Sequence, residues 1–287
     1  MDFTVIMRNI MKRLCIFLFS GTGMTKYVVE KIRTELEGLQ VQADIYPIEK
    51  TQPGSIPLDS YDAMSVAYPV HAFNAPQIVV DFVKQLPQEN SLNTFIISTA
   101  GADSMLNSAS SKLLIRILNQ MDYSVLYDKQ LVMPSNFVVK YDESQVIQLV
   151  SAVNEEIPRV ARDILNLTRY ERKTSLRSNF MTWIGRIEWL GARFAGKLFY
   201  ADKNCSHCGI CAANCPNGNI ASGKGIRFSW HCGLCMRCLY LCPRHAVKVH
   251  RPFKFISFDE WYKNEDLSVL KSIGTCTGNA HKPPGQE

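Results

Sequence analysis

The sequence predicts an α/β protein that opens with a doubly wound, parallel sheet of five strands and continues into a small α+β unit built around cysteine. Three observations carry this. Strand-like and helix-like patterns alternate up to about residue 140, and the strand segments are mostly apolar runs, as strands covered on both faces require. Eight of the ten cysteines lie between Cys205 and Cys242. The 287 residues exceed one typical domain and include 46% hydrophobic residues, enough for a sizeable core.

Residues 14–19 form the first apolar strand, followed by Ser20-Gly21-Thr22-Gly23-Met24-Thr25. Val28, Ile32, Leu36 and Leu39 recur at helical spacing, and Val41, Ala43 and Ile45 alternate as a strand does. Residues 63–67 are the third strand, ending at Tyr68-Pro69; Ile78, Val79, Phe82, Val83 and Leu86 mark the next helix. Residues 94–98 are the fourth strand, ending at Thr99-Ala100-Gly101. Leu106, Leu113, Leu114, Ile117, Leu118 and Met121 form another helical stripe, and residues 125–133 are the fifth strand, stopped by Pro134. Residues 13–143 are assigned to this domain.

From Ser144 the pattern is helical through Val146, Val150, Val153, Ile157, Val160, Ile164 and Leu167. Pro158, lacking an amide donor, is expected to kink this helix or open a second one. Residues 169–200 add Phe180, Trp183, Trp189, Phe194, Phe199 and Tyr200 among basic residues. Residues 144–200 therefore read as a helical connector packed against both domains, with Trp183 and Trp189 between them rather than on a membrane surface. The cysteine-rich unit spans 201–252, and 253–287 is a polar tail.

The formal charge of +6 is too mild to argue for nucleic acid, but it is unevenly spread: residues 169–256 carry 15 basic and 3 acidic residues. That surplus reads either as solvated surface that also supplies counter-charge or as a docking face for an acidic redox partner. No run approaches the roughly 20 apolar residues of a membrane span. The six-residue run at 14–19 is shorter than the roughly 7–15 of an export signal, so a cytoplasmic protein is expected. Clustered thiols without an export signal point to metal rather than disulfides. Cys15, in an apolar strand, reads as a buried structural thiol, and Cys276 as a spare one in the tail. No paired-carboxylate or Ser-His-Asp pattern marks a catalytic residue.

The cysteines form an internal repeat: Cys205-x2-Cys208-x2-Cys211-x3-Cys215-Pro216 recurs 27 residues on as Cys232-x2-Cys235-x2-Cys238-x3-Cys242-Pro243. Three cysteines at two-residue spacing wrap one side of a cubane cluster, and a fourth thiolate must come from elsewhere. Zinc prefers well-separated pairs and fits this pattern poorly. Gly209 and Gly233 allow amides close to sulfur, and the prolines end each run. With Gly209-Ile210 and Gly233-Leu234, the segment resembles the bacterial two-[4Fe-4S] ferredoxins. That resemblance implies crossed ligation: Cys205, Cys208, Cys211 and Cys242 for cluster 1, and Cys232, Cys235, Cys238 and Cys215 for cluster 2.

The Ser20–Thr25 loop lies between a strand and a helix, where glycine amides, hydroxyls and a positive helix end cradle phosphate. It lacks the Gly-Lys-Ser/Thr of a Walker loop and the third glycine of a dinucleotide fingerprint. The loop and the strand alternation resemble the flavodoxins, which implies FMN, with Ser20, Gly21, Thr22, Gly23, Met24 and Thr25 around its phosphate. The third and fourth strand ends would border the isoalloxazine: Tyr68, His71 and Phe73 for stacking, Pro69 and Val70 in the same loop, and Asn74, Thr99 and Gly101 for hydrogen bonds.

Over residues 13–250 the chain is similar to a prokaryotic family fusing a flavodoxin-like domain to a two-[4Fe-4S] ferredoxin. The stretches carrying this are residues 19–25, residues 68–76 and Met133-Pro134-Ser135-Asn136-Phe137. Met24 stands where that family often has Asn. The resemblance implies an electron-transfer protein passing single electrons between FMN, two clusters and external redox partners. One alternative is an FMN-dependent reductase fed by the clusters, with His71 or Tyr68 as proton donor; another is a structural or sensing module without flavin.

Overall fold

The computed structural model describes residues 11–88, 91–101, 105–135 and 141–250. The tail with Cys276 and the Asn136-Phe137 pair lie outside them.

The first part runs β1 (Arg13–Leu18), α1 (Met24–Gly38), β2 (Gln42–Pro47), β3 (Ala63–Pro69), α2 (Gln77–Val83), β4 (Leu92–Ala100), α3 (Lys112–Gln120), β5 (Tyr123–Val132) and α4 (Glu143–Leu165). All strand pairs are parallel, in the order β2-β1-β3-β4-β5. Side-chain alternation sorts the strands onto two faces. Leu14, Ile16 and Leu18 join Val28, Ile32 and Leu36 of α1 and the apolar stripe of α4 in one core. Cys15, Phe17, Met64, Val66 and Tyr68 join α2 and α3 in the other. Covering both faces explains why the central strands read as continuous apolar runs.

The predicted elements appear with shifts of one or two residues at most ends. Leu106 belongs to a short 3-10 turn (Met105–Asn107) before α3 rather than to that helix. Residues 143–165 form one helix straight through Pro158, so a second helix does not start there. Its capping box (Asp142 with Gln145) and the buried stripe Val146, Val150, Val153, Ile157, Val160 and Ile164 outweigh one missing amide bond. Tyr27 donates to Asn154 Oδ1 at 2.7 Å, fixing α4 beside α1.

Beyond α4 the chain adds to the sheet edge. Tyr170 N–H bonds to the Leu126 carbonyl and its own carbonyl accepts from Asp128 N–H, both at 2.9 Å. Arg172 grips Asp128 through two hydrogen bonds (2.9 and 3.0 Å) and also donates to Ser111 and Gln130. Helices α5 (Leu176–Gly185) and α6 (Ile187–Gly196) follow. Trp189 packs on the second core, but Trp183 is exposed, contrary to the expectation of an inter-domain core. The reason is that the helices turn small residues inward: the Cβ of an alanine at 185 would sit 1.9 Å from the Ala72 carbonyl oxygen, too close for any side chain.

The C-terminal unit comprises β6 (Phe199–Ala201), α7 (Ile210–Ala213), β7 (Ile220–Ala221), β8 (Arg227–Phe228), α8 (Arg237–Tyr240) and β9 (Val247–Val249). β6 pairs antiparallel with β9, and β7 with β8, over a core of Phe199, Ile220, Phe228, Leu239 and Val247.

Candidate functional site

A cavity of about 210 Å³ opens at the carboxyl ends of the strands, where β1 and β3 part company in sequence order. Its walls include Ser20, Gly21, Thr22, Met24 and Thr25 after β1, Pro69, Val70 and His71 after β3, and Thr99 and Gly101 after β4. Ser135 closes one side after β5, and Leu234, Cys235 and Met236 of the second cysteine run close another. That last wall was not foreseen from the sequence, because nothing local to either segment records their meeting.

The Ser20–Thr25 loop is shaped as a cradle. Ser20 Oγ accepts from the amides of Gly23 and Lys26 at 3.2 and 3.3 Å. Gly23 sits at φ 101°, a left-handed conformation that glycine adopts without strain. Thr25 shares a 2.8 Å hydrogen bond with Thr99, tying the loop to the end of β4. No acidic residue occupies the first turn of α1, so its positive end is left uncompensated toward the cavity. A glycine- and hydroxyl-bearing loop held in this shape at a positive helix end fits a phosphate.

Four of the expected ring or loop contacts fall elsewhere. Gly23 shapes the loop without lining the cavity. Tyr68 is fully buried and points with Met64 and Val66 into the α2/α3 core, where burial raises its phenol pKa well above normal. It cannot stack on a ring in the cavity or give up a proton there. Phe73, at φ 65°, does not line the cavity, and its carbonyl accepts from Thr182 Oγ1 at 3.3 Å. Asn74 is buried and spends its amide on the carbonyls of Ala72 (3.1 Å) and Thr182 (2.9 Å), docking α5. His71 does reach the cavity. Burial lowers its pKa to about 4, opposed by a hydrogen bond to the Gly233 backbone, so its ring is neutral at pH 7.

The cysteines assemble in two sets. Cys205, Cys208, Cys211 and Cys242 line one small enclosed pocket, and Cys211 feels the charges of Cys242, Cys205 and Cys208. Cys238 feels Cys235, Cys232 and Cys215, and more weakly Cys211, which links the two sets. Burial raises the thiols of Cys211, Cys235 and Cys238. Cys15, fully buried in β1, is pushed up to about 12 and stays an inert thiol.

The sequence repeat is also a structural one. α7 and α8 are each preceded by a left-handed residue, Gly209 (φ 73°) and Met236 (φ 59°). Gly233 therefore is not the counterpart of Gly209; it sits where a Cβ would lie 2.8 Å from the Asn217 amide. Asn219 N–H points at Cys215 Sγ and Ala246 N–H at Cys242 Sγ, both at 3.2 Å and both four residues downstream. Among the described residues, no three His, Cys, Asp or Glu side chains close on a point tightly enough for one metal ion. The first set lines the walls of a small space, and four thiols with amides aimed at sulfur fit a polynuclear cluster.

Arg237, not singled out by its sequence, locks the two units together. It donates to Glu49 Oε1 and the Ser20 carbonyl, both at 2.6 Å, and to the Asn214 carbonyl at 3.3 Å. Its guanidinium lies 5.8 Å from the Phe19 ring centre.

Parallel strands in the order 2-1-3-4-5 with helices on both faces define a flavodoxin-like α/β domain, here joined to a cysteine-rich α+β unit. No protein-family model matches the chain. It is 32% identical over 80 residues to the DNA-directed RNA polymerase subunit Rpo3 of Methanosarcina mazei, and 30% over 80 residues to that of Methanosarcina acetivorans. Each match covers 26% of this chain and 26% of the subunit, so the chain spans about a quarter of the length of the curated relatives it matches. Among solved structures, it is similar to an NAD(P)H:quinone oxidoreductase from Methanothermobacter marburgensis (12% identity, 54% of this chain and 96% of that one, TM-score 0.39). It is also similar to a Streptococcus pneumonia TIGR4 flavodoxin (16% identity, 52% and 98%, TM-score 0.33). The fold assignment rests on the strand order itself. No helix among the described residues is long and apolar enough to cross a membrane.

Proposed function

We propose that the chain is an electron carrier, with FMN in the cavity at the strand ends and a [4Fe-4S] cluster in each cysteine set. The observation that carries this reading is the shared wall: Cys235 and its neighbours border the same cavity as the phosphate loop. When bound, FMN supplies one- or two-electron storage and each cluster one-electron exchange. The Ser20–Thr25 loop holds the phosphate, while Pro69, Val70, His71, Thr99 and Gly101 border the ring. Cys232, Cys235, Cys238 and Cys215 hold the cluster nearer the ring, and Cys205, Cys208, Cys211 and Cys242 the farther one. Cys208 is exposed, Arg244 lines the pocket of this set, and Lys203, Lys224 and Arg227 of the same unit are exposed, suiting an acidic redox partner.

The same geometry narrows the alternative of a dedicated reductase. Tyr68 is sealed in the core and cannot donate a proton in the cavity, so His71, which lines it, is left as the group to supply one.

Anaerobic stopped-flow mixing of the fully reduced full-length protein with cytochrome b5, an acidic one-electron acceptor, tests the carrier reading. The flavin should reoxidise markedly more slowly in Cys238→Ala, whose side chain does not line the cavity. Equal rates would overturn a route through the clusters. The cradle is tested separately. An alanine Cβ at position 21 would lie 2.3 Å from the Cys235 carbonyl oxygen, so Gly21→Ala must push the two loops apart. Fluorescence titration should show FMN affinity lowered about tenfold or more, the scale of overpacking by 1–3 kcal/mol. Unchanged affinity would remove this loop from the site.

A further inference from the structure

We infer that the outer face of α5 and α6 is a docking surface for an anionic lipid bilayer. The two helices carry complementary stripes at the same alternating spacing of four and three residues. Ser178, Thr182, Gly185, Trp189, Ala192 and Gly196 form the inner stripe. Ser178, Thr182, Gly185, Ala192 and Gly196 are buried, and Trp189 packs against the second core. Leu176, Phe180, Trp183, Ile187, Leu190 and Phe194 form the outer stripe and are 58% to 89% exposed. The usual pattern of a surface helix is inverted, with small or polar side chains inward and large apolar ones outward.

The stripe runs across both helices with little interruption. Arg186, between them, keeps right-handed helical dihedrals (φ −67°, ψ −22°), so the apolar crest extends over about 30 Å at 1.5 Å per residue. Trp230 prolongs it, its ring edge-on to Phe194 at 5.5 Å and half exposed.

Charge selects the occupant. By helical phase, Arg177 flanks the crest on one side and Arg186, Arg193 and Lys197 on the other, all exposed. Arg169 and Lys173, also exposed, lie just upstream, whereas the sequence from 169 to 200 contains only two acids, Glu171 and Glu188. An apolar crest with tryptophan and leucine, bordered along one side by Arg186, Arg193 and Lys197, is the arrangement of a helix lying in the headgroup plane of anionic lipid. A protein partner would more typically meet a compact cluster of anchors in pockets than a single file.

Cosedimentation of the full-length holoprotein with vesicles tests this. It should bind vesicles of equal parts phosphatidylglycerol and phosphatidylcholine, bind phosphatidylcholine alone much less, and weaken as salt is raised. Phe180→Ser/Trp183→Ser/Ile187→Ser should lower binding about tenfold or more, because three exposed apolar anchors are lost. Its cofactor absorption should remain as in the parent, since none of the three is buried. Arg177→Glu/Arg193→Glu should abolish the preference for phosphatidylglycerol. Failure to bind anionic vesicles at low salt, or a triple variant that binds like the parent, would overturn the inference. So would a concentration-dependent dimer that the triple variant dissociates, because a second copy would then cover the face.

Discussion

Cys205→Ala/Cys242→Ala should leave about four of about eight irons per chain, whereas Cys205→Ala/Cys215→Ala should leave almost none. The contrast follows from the crossed sets. Cys242 shares a pocket with Cys205, 37 residues upstream, while Cys215 groups with Cys232, Cys235 and Cys238. Ligation within each run would give the opposite result, since Cys205 and Cys215 would then serve one cluster. Iron and acid-labile sulfide after anaerobic reconstitution decide between the two arrangements, and the outcome does not depend on the flavin.

Arg237→Ala is expected to be the most damaging single change outside the cysteines. The Arg237–Glu49 pair is about nine-tenths buried on both sides, with side-chain exposures of 13% and 10%. Removing one partner leaves a buried, uncompensated carboxylate, which costs about 3–5 kcal/mol. Glu49 Oε2 has no hydrogen-bond partner among the described residues. Because Arg237 also holds the Ser20 carbonyl, the variant should bind FMN more weakly as well as unfold at a lower temperature. Arg237→Met/Glu49→Gln should recover much of the thermal stability, because neither charge then remains buried. Recovery of FMN affinity should be smaller, since the Ser20 hydrogen bond is still missing. An unchanged melting temperature in Arg237→Ala would show that the clamp contributes nothing.

Much of the sheet was legible because it is covered on both faces. A strand such as 14–19 buries alternate side chains in separate cores, and so appears as an unbroken apolar run. The cysteine repeat was equally plain, since its spacing recurs without a gap. Tyr68 lies in the core and not at the ring site its position at the strand end suggests, although the sequence carries the signal. Met64, Val66 and Tyr68 share one face of β3 by simple alternation, so the tyrosine belonged with the α2/α3 core rather than with the loop that follows. For α5 and α6 the rule that apolar faces point inward failed. Those helices approach the Ala72 carbonyl through Gly185 and the Cys232 side chain through Gly196, contacts that only small residues allow. Arg237 was hidden for a different reason. It is one of 15 basic residues in a cationic segment, and its partners Ser20 and Glu49 lie more than 180 positions away. Charge counts describe surfaces well but carry no sign of which cation is buried.

The central claim is that one polypeptide places an FMN site against a pair of iron–sulfur sites. Its most direct test is to quantify iron, acid-labile sulfide, zinc and FMN per chain in full-length protein purified without oxygen and supplied with FMN. About eight irons and about eight sulfides with about one FMN and negligible zinc are expected. About two zinc ions without sulfide, or intact clusters on a chain that retains no flavin, would contradict it.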